Sequence, residues 1–446
     1  MAPASRTSVL VVVGTRPEAI KLVPIILALR ESETLRPIVV STGQHHTMVQ
    51  DVFGLAGITV DAELWAAGHG RLNELVAAVM RRFEDFCSAS FGDHGTNGAD
   101  RDEVLSGHYP AAVLVHGDTS SAFATAMAAF HLRIPVVHVE AGLRTHGFNF
   151  SPFPEELNRE LISRIAAFHL APTVTCAQNL VRETVPAGQV FVTGNTGIDA
   201  LQWAVGLGVD YADPAVAAAA NGDGRIVVVT AHRRENWSGG LAQIAEAVRR
   251  LASSHADTTF VVPLHPNPLV RHEVGVPLEG LPNVLLPEPL SYASFARLLG
   301  RAHLVITDSG GIQEEAPSLG TPVVVTRDIT ERLEGVEAGT LALAGTEPDT
   351  IVALASRLLD DEAAHAEMAA AINPYGDGHA AARIVAALEH LQGAGDPPAP
   401  FGPGYRRDLV LEAAGYEEGL RPWLRGSGQR GVPEPAPPDQ PMTWHR

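Results

Sequence analysis

Cysteine is nearly absent from this chain, and so are long hydrophobic runs. The 446 residues include only Cys87 and Cys176, too few for a disulfide framework or a cysteine-based zinc site. The apolar run Val9–Val13 is too short for a signal-peptide core, and no apolar stretch reaches the roughly 18 residues of a membrane-spanning helix. These absences predict a cytoplasmic protein without a membrane partner.

Positive charge is also scarce. Lys and Arg number 32 against 51 Asp and Glu, a formal net charge of −19. This balance opposes the extended basic surface that nucleic acid requires, so we predict no nucleic-acid partner. The only lysine is Lys21, and a single compact ammonium among arginines is either chance or a ligand contact.

Common cofactor fingerprints are missing. The first apolar run is followed by one glycine, Gly14, rather than the three of a dinucleotide site, and neither a phosphate loop nor an HExxH motif occurs. His116, His138, His232 and His265 each stand alone near a strand end. The sequence therefore disfavours dehydrogenases, P-loop ATPases and metal enzymes, and we predict no cofactor and no metal.

What the sequence does contain is an alternation of short β-branched runs with longer helical patterns. Val9–Val13 precedes a helical pattern at Pro17–Arg30, and Ala111–Val115 precedes another at Ser120–His131. The other predicted strands are Pro135–Val139, Phe191–Val192, Ile226–Val229, Thr259–Val262, Leu304–Ile306 and Pro322–Val325. This order predicts parallel strands joined by helices, which is the α/β class with doubly wound sheets. The alternation restarts after Gly222–Gly224.

We therefore predict two similar, doubly wound domains, residues 1–195 and 196–375, which face each other across a cleft. A terminal helix within 376–395 packs back on them. Residues 396–446 contain 10 prolines and 7 glycines, a composition typical of a disordered tail. Ser88–His108 is expected to be a surface loop. In such sheets ligands bind beyond the carboxyl ends of the strands, which here means the cleft.

Three carboxylates follow strands or open a helix in the first half. Taken singly, Asp118 is explained as a helix cap, Glu140 as a salt-bridge partner of Arg144, and Glu155 as a favourable charge in a first helical turn. Together they predict a cluster of acids at one edge of the sheet.

The second half offers cations and a glycine turn. His232 and Arg233 follow a strand and indicate either an anion site or a solvated charged run. Gly310 and Gly311 form a turn between another predicted strand and a helix. The amino end of this helix favours a phosphate or diphosphate. Glu315 lies in position to accept from ribose hydroxyls, and Arg327 and Arg332 add charge. A diphosphate site opposite a cluster of acids predicts a nucleotide-sugar ligand.

These motifs resemble the non-hydrolysing UDP-N-acetylglucosamine 2-epimerases, a family with the glycosyltransferase-B fold of two Rossmann-like domains. The resemblance extends from Gly14 to about Gly378. It rests on these blocks: Gly14–Glu18, His116–Thr119, Glu140–Thr145, Ser151–Glu156, Ala231–Asn236, Asp308–Glu315 and Gly335–Thr340.

The resemblance implies inversion at C2 of UDP-N-acetylglucosamine by elimination and re-addition of UDP, through a 2-acetamidoglucal, by a homodimer. It implies catalytic roles for Asp118, Glu140, Glu155 and His232. It also implies a set of UDP-sugar contacts: Arg16, Lys21, Arg144, Arg233, Leu290, Phe295, Ser309, Gly310, Gly311, Glu315 and Arg332.

One family feature is altered. Many bacterial relatives bind a second, activating substrate molecule through a glutamine-rich segment and a nearby arginine. Here Gln44 is present, Thr47 replaces its companion, and His69 stands where the arginine is usual. We therefore predict hyperbolic kinetics, with Gln44 and His69 as remnants of that site.

Three other interpretations stay open. A hydrolysing epimerase would release free N-acetylmannosamine and accumulate UDP. A glycosyltransferase would share the fold but need an acceptor. A non-catalytic UDP-sugar sensor would bind without turnover.

Overall fold

Thirteen strands are found in the described part of the chain. The computed structural model describes residues 6–67, 70–93, 103–104, 108–145, 150, 152–396 and 398–401. The strands are β1 Thr7–Val13, β2 Leu35–Ser41, β3 Ala62–Glu63, β4 Ala112–His116, β5 Val136–Val139, β6 Phe168–Ala171, β7 Val190–Val192, β8 Arg225–Thr230, β9 Thr258–Val261, β10 Val284–Leu285, β11 Leu304–Thr307, β12 Val323–Val325 and β13 Leu341–Leu343.

Helices connect these strands. Those of the first half are α1 Arg16–Glu31, α2 His46–Leu55, α3 Leu72–Phe91, α4 Ser120–His131, α5 Glu155–Ile165 and α6 Val174–Arg182. They are followed by α7 Thr196–Gly206, α8 Pro214–Asn221, α9 Gly240–Ser254, α10 Pro268–Val270, α11 Val276–Leu278, α12 Tyr292–Arg301, α13 Gly310–Glu315, α14 Leu333–Glu337, α15 Pro348–Asp360, α16 Glu362–Ala369 and α17 Ala380–Leu391.

The strands form two parallel sheets with related topologies. The first has the order β3-β2-β1-β4-β5-β6-β7 and the second the order β10-β9-β8-β11-β12-β13. In each sheet the chain starts in the middle, runs to one edge and then crosses to the other side. The predicted α/β class with doubly wound sheets is confirmed. Because all carboxyl ends of a sheet lie at one edge, the loops after β1, β4 and β5 are neighbours.

Local hydrogen bonds fix those loops. The Glu18 carboxylate accepts from the backbone N–H groups of Gly14 and Thr15, at 2.9 and 2.5 Å, and closes the first turn of α1. It also accepts from the Thr119 hydroxyl at 2.6 Å, and Thr119 in turn caps α4. One buried acid therefore ties the loop after β1 to the loop after β4.

Helix α7 leads from the first sheet into the second half and packs against both α1 and α12. Helix α17 returns to the first half, where Ile384 and Leu388 are buried in a core shared with β1 and α1. The tail predicted from residue 396 onward contributes Phe401, whose backbone N–H donates to Val192 at 2.9 Å. Its ring lies in a small apolar cluster with Leu180. Residues 402–446 lie outside the described residues.

Some elements differ from the prediction. Strands β2, β3, β6, β10 and β13 were not predicted, and helix α3 extends to Phe91 into the segment expected to be a loop. Most of the rest of that segment lies outside the described residues. Among the helices that the structure describes, none has the length and hydrophobicity needed to cross a membrane.

Two histidines buried beneath the strand ends are neutral in the folded protein. Burial lowers the pKa of His116 to about 4 and that of His138 to about 3. In the unfolded chain both titrate near pH 6.5. Their contribution to stability is therefore complete above about pH 6.5 and is lost as the pH falls toward those lower values.

The His138→Gln variant should isolate one such contribution. Its amide keeps a donor for the Gly117 carbonyl, which accepts from His138 Nε2 at 2.7 Å, but it takes no proton. Between pH 7 and 5 the variant should gain about 2 kcal/mol in free energy of unfolding relative to wild type. Urea unfolding at both pH values measures this difference. Parallel curves for the two proteins would show that His138 does not titrate on unfolding.

Candidate active site

A cavity of about 220 Å³ lies between the carboxyl-terminal edges of the two sheets. Its charged lining consists of two cations and five glutamates. The cations are Lys21 and Arg332, and the glutamates are Glu140, Glu314, Glu315, Glu331 and Glu334. An anionic ligand in this cavity would therefore depend on a few well-placed cations.

Glu140 lies on the floor of the cavity, immediately after β5. Its backbone is in the left-handed region, with φ of +62°, a conformation that is rare for a non-glycine residue and often occurs at functional sites. The carboxylate forms an ion pair with Lys21, and His116 Nε2 lies 3.8 Å away. Burial raises the pKa of Glu140, but the positive charges of Lys21 and Arg159 lower it to about 2. Glu140 is therefore ionised.

Lys21 projects from α1 into the same cavity. Burial favours its neutral form, but Glu140 and then Glu314 raise its pKa above the ordinary value. The side chain therefore carries a full charge between carboxylates from both halves of the chain. This is the single lysine of the sequence.

Asp118 follows β4 and faces Glu140. Its carboxylate lies 2.5 Å from Arg159 Nη2, and its backbone carbonyl accepts from the Asn158 amide at 2.8 Å. Burial raises the pKa of Asp118 and Glu140 adds to the rise, while Arg159 and Lys21 oppose it. Two neighbouring carboxyl groups thus have opposite shifts, a pattern suited to proton transfer.

The helix that holds Arg159 turns Glu156 inward rather than Glu155. Glu156 is 2% exposed and accepts from Arg159 Nη1 at 2.7 Å. Glu155, the first residue of α5, is half-buried. No hydrogen bond or ion pair joins Glu155 to Asp118 or Glu140 among the residues that the structure describes, so its catalytic role stays a prediction.

In the second half of the chain, Asp308 organises the loop after β8. This fully buried carboxylate accepts from the backbone N–H groups of His232 and Arg233, at 2.9 and 2.8 Å, and from Asn236 Nδ2 at 3.0 Å. Its other oxygen lies 3.3 Å from His232 Nδ1. Burial, together with His265 and Arg233, lowers the pKa of His232 despite Asp308. Because Nδ1 of His232 lies next to Asp308, the Nε2 atom on the other side of the ring points away from Asp308.

Two guanidinium groups converge at the start of α13. A Cβ atom added to Gly310 would lie 3.0 Å from Arg332 Cζ and 3.2 Å from Arg233 Nη2. Arg332 is held from the side by Glu314, which accepts from its Nε at 2.8 Å. Ser309 is the N-cap residue of this helix. Because position 310 has no side chain, both guanidinium groups can approach the start of this helix closely, and two guanidiniums beside a helix amino end suit a diphosphate.

We call the group formed by Arg233, Arg332 and Ser309–Gly311 the diphosphate cradle. Glu315 is adjacent to this cradle. Burial raises its pKa to about 8, and Glu314 adds to the rise. Leu290 and Phe295 are half-buried and pack on the apolar core of the second half. Arg16 is exposed at the start of α1.

Two other predicted cations are engaged elsewhere. Arg144 donates through Nε and Nη2 to Glu183 at 2.7 and 2.8 Å, and its side chain is 3% exposed. Arg327 is bound by Glu235 and Glu331. Both guanidinium groups are therefore paired with carboxylates of the chain, and a direct role for Arg144 in substrate contact stays a prediction.

The remnant second site is only partly described. Gln44 accepts from the Ser121 hydroxyl at 2.7 Å, and His69 lies outside the described residues. Hyperbolic kinetics therefore stay a prediction.

Sequence reasoning missed four polar side chains that hold this site together: Glu156, Arg159, Asp308 and Asn195. Asn195 donates to Glu314 at 2.5 Å and so links the two halves. Asp308 did have a signal, since it directly follows a buried strand. No group of three or more potential metal ligands occurs within the described ranges.

Comparison with known proteins decides the family. The family model described as UDP-N-acetylglucosamine 2-epimerase matches residues 27–389. The chain belongs to this family. The UDP-N-acetylglucosamine 2-epimerase of Yersinia pestis is 42% identical over 390 residues, which cover 86% of this chain and 99% of that protein.

Solved members of the epimerase family share the architecture. The Neisseria meningitidis UDP-GlcNAc 2-epimerase, solved with UDP-GlcNAc bound, is 40% identical and superposes with a TM-score of 0.71, covering 86% of this chain and 100% of that one. Staphylococcus aureus MnaA, solved with UDP, is 37% identical with a TM-score of 0.73, covering 89% and 100%. These structures confirm that the two sheets form the fold expected of this family.

Proposed function

We propose that this chain is a non-hydrolysing epimerase that inverts C2 of UDP-N-acetylglucosamine to give UDP-N-acetylmannosamine. It acts in the cytoplasm as a homodimer and uses no cofactor. Residues 1–195 supply the acid–base groups and residues 196–375 hold UDP. The observation that carries the proposal is the cleft itself, where oppositely shifted carboxyl groups face an arginine cradle.

The cradle around Gly310 receives the diphosphate. Arg233 and Arg332 supply charge-assisted hydrogen bonds, and Ser309, Gly310 and Gly311 add the start of a helix. His232 faces the same region, with its orientation set by Asp308. Glu315 accepts from the ribose, with Arg16, Leu290 and Phe295 around the nucleoside. The binding energy of UDP thereby positions the sugar against the opposite wall.

The chemistry begins with removal of the C2 proton by a carboxylate. The C–H electron pair forms the C1–C2 double bond, while the electron pair of the C1–O bond leaves with UDP. Fixed donors in the cradle stabilise the departing anion. Glu140 is ionised and lies beside Asp118, whose raised pKa suits it to carry a proton.

The second half of the reaction reverses these steps on the other face of the ring. A UDP oxygen adds to C1 of the 2-acetamidoglucal while a carboxyl group delivers a proton to C2. Because the reverse reaction exchanges the roles of acid and base, Asp118, Glu140 and Glu155 serve as one cluster. Retention of UDP in the cradle is what separates this outcome from hydrolysis.

Accumulation of UDP tests the proposal against the hydrolysing alternative. Proton NMR of UDP-N-acetylglucosamine with the enzyme should show UDP-N-acetylmannosamine at equilibrium without stoichiometric free UDP. Free N-acetylmannosamine in step with UDP would favour hydrolysis. Light scattering after size-exclusion chromatography tests the homodimer.

The Gly310→Ala variant should weaken UDP binding. The added Cβ would lie 3.0 Å from Arg332 Cζ, so the flexible guanidiniums must move apart while the fold is retained. Loss of one charge-assisted contact predicts an increase in the Kd for UDP of about tenfold or more.

Isothermal titration calorimetry with UDP measures this effect. Gly206→Ala is the matched control, since nothing lies within 4 Å of a Cβ there. Equal UDP affinity in Gly310→Ala and wild type would place the diphosphate elsewhere.

A further inference from the structure

The carboxylate of Asp118 is held by one arginine from a neighbouring helix. Arg159 Nη2 lies 2.5 Å from Asp118 Oδ2. The preceding residue, Asn158, donates to the backbone carbonyl of Asp118 at 2.8 Å. Helix α5 therefore fixes both the main chain and the side chain of this residue.

Arg159 is itself anchored from behind. Its Nη1 donates to Glu156 at 2.7 Å, and Glu156 also accepts from the backbone N–H of Thr145 at 3.1 Å. The Arg159 side chain is 10% exposed and the Asp118 side chain 24% exposed. The planar fork of arginine thus spans a buried acceptor and an acceptor that faces the cleft.

We propose that Arg159 is a positioning residue for the epimerisation, which orients the Asp118 carboxyl group toward the sugar and stabilises its ionised form. This inference rests on the proposed function. A purely structural role would be satisfied by the bond to Glu156 alone. The second terminal nitrogen, Nη2, contacts the carboxylate of Asp118 in the acid–base cluster. This contact changes how readily Asp118 gives up its proton.

The charged groups around Asp118 come from three elements. Arg159 approaches from α5, Glu140 from the end of β5 and Lys21 from α1. Burial and Glu140 raise the pKa of Asp118, whereas Arg159 and Lys21 lower it. Loss of Arg159 removes a lowering influence, so the pKa of Asp118 must rise. An opposite charge at this distance shifts a carboxyl pKa by about 1–3 units.

Two substitutions separate charge from geometry. Arg159→Met should lower kcat by about 100-fold, as expected for a misplaced acid–base group. It should also shift the alkaline limb of the kcat/KM profile, which reports loss of the proton that Asp118 carries, upward by at least about one pH unit. Arg159→Lys keeps the charge without the fork. In Arg159→Lys this limb of the kcat/KM profile should lie close to its wild-type pH, while kcat stays below that of wild type.

The pH profiles of kcat and kcat/KM are measured from initial epimerisation rates over a range of UDP-N-acetylglucosamine concentrations at each pH. Arg249→Met is the control, because it removes an exposed arginine that pairs only with Glu246 in the described residues. Circular dichroism and thermal unfolding report on folding, and the Kd for UDP should stay within about threefold of wild type.

Unchanged limb position in Arg159→Met, with lower kcat, would reduce Arg159 to a structural role and overturn the inference. So would equal profiles for the Met and Lys variants. If wild type itself shows no epimerisation, the proposed function fails instead, independently of Arg159. If Arg159→Met does not fold, Arg159→Lys still tests the inference through its kcat and its limb.

Discussion

Glu140→Gln should lower the rate of epimerisation by about three orders of magnitude and leave UDP binding intact. Glutamine keeps the shape of the side chain but has no basic oxygen, and acid–base catalysis by one group contributes about 10²–10⁴-fold. UDP affinity should be unchanged or slightly higher, because one negative charge is removed from a cavity lined by five glutamates. Turnover by NMR and UDP binding by calorimetry measure the two effects separately.

Glu246→Gln is the matched control for this variant. Glu246 forms an exposed ion pair with Arg249 on α9, and neither residue lines the cavity, so its loss should leave turnover unchanged. Near-normal turnover in Glu140→Gln would remove Glu140 from the mechanism. Loss of UDP binding together with turnover would indicate a collapsed site rather than a missing base.

The second large effect is expected at Lys21. Lys21→Met removes the ammonium that lowers the pKa of Glu140, so a buried carboxyl group becomes harder to ionise. Turnover at neutral pH should fall by about 100-fold, and the acidic limb of the pH profile should move upward by one unit or more. Lys21→Arg keeps the positive charge, so its acidic limb should lie close to the wild-type pH. Rate profiles from about pH 5 to 9 measure both variants.

Chemical modification offers an independent test of Lys21, because no other lysine occurs in the chain. At alkaline pH an amine-selective acylating reagent should modify the amino terminus first and Lys21 more slowly, because the ion pair with Glu140 keeps the Lys21 side chain protonated. Loss of activity should parallel acylation of Lys21, as measured by mass spectrometry, and saturating UDP-N-acetylglucosamine should protect it. Lys21→Arg should resist inactivation. Full activity in protein acylated at Lys21 would contradict the role assigned to this charge.

The central strands were predictable because their burial is visible in the sequence. β1, β4, β8 and β11 are covered on both faces and consist largely of β-branched and aliphatic residues. β2 contains Arg36 and Pro37, which interrupt its apolar run, yet it pairs along all of β1. Such a strand is recognised only when its partner is known.

The site could be predicted to the extent that its residues follow strands. Asp118 and Glu140 do so, and the rule for parallel sheets brings them together. Arg159 lies in the middle of a helix, and its contact with Asp118 depends on how α5 packs, which no local spacing reveals. Arg144 is the opposite case: its motif predicted a contact with the ligand. In the structure its guanidinium pairs with Glu183, which follows helix α6 and is distant in the sequence.

The anion cradle needed both kinds of information. The glycine turn at Gly310 and Gly311 indicated a phosphate site from the sequence alone. Its cations come from two different loops, with Arg233 after β8 and Arg332 before α14. The order β8-β11-β12 brings those loops together. The buried carboxylate of Asp308 then sets the conformation of the first loop, a role that depends on the adjacency of β8 and β11.

Exchange at C2 tests the central claim most directly. UDP-N-acetylglucosamine incubated with the wild-type enzyme in D2O, with no acceptor and no added cofactor, should lose its C2 proton signal. Deuterated UDP-N-acetylmannosamine should form, while free UDP stays well below stoichiometric amounts. Recovery of unlabelled, unepimerised substrate would contradict the account. Carboxyl groups that remove the C2 proton and return a proton to C2 must introduce deuterium from the solvent.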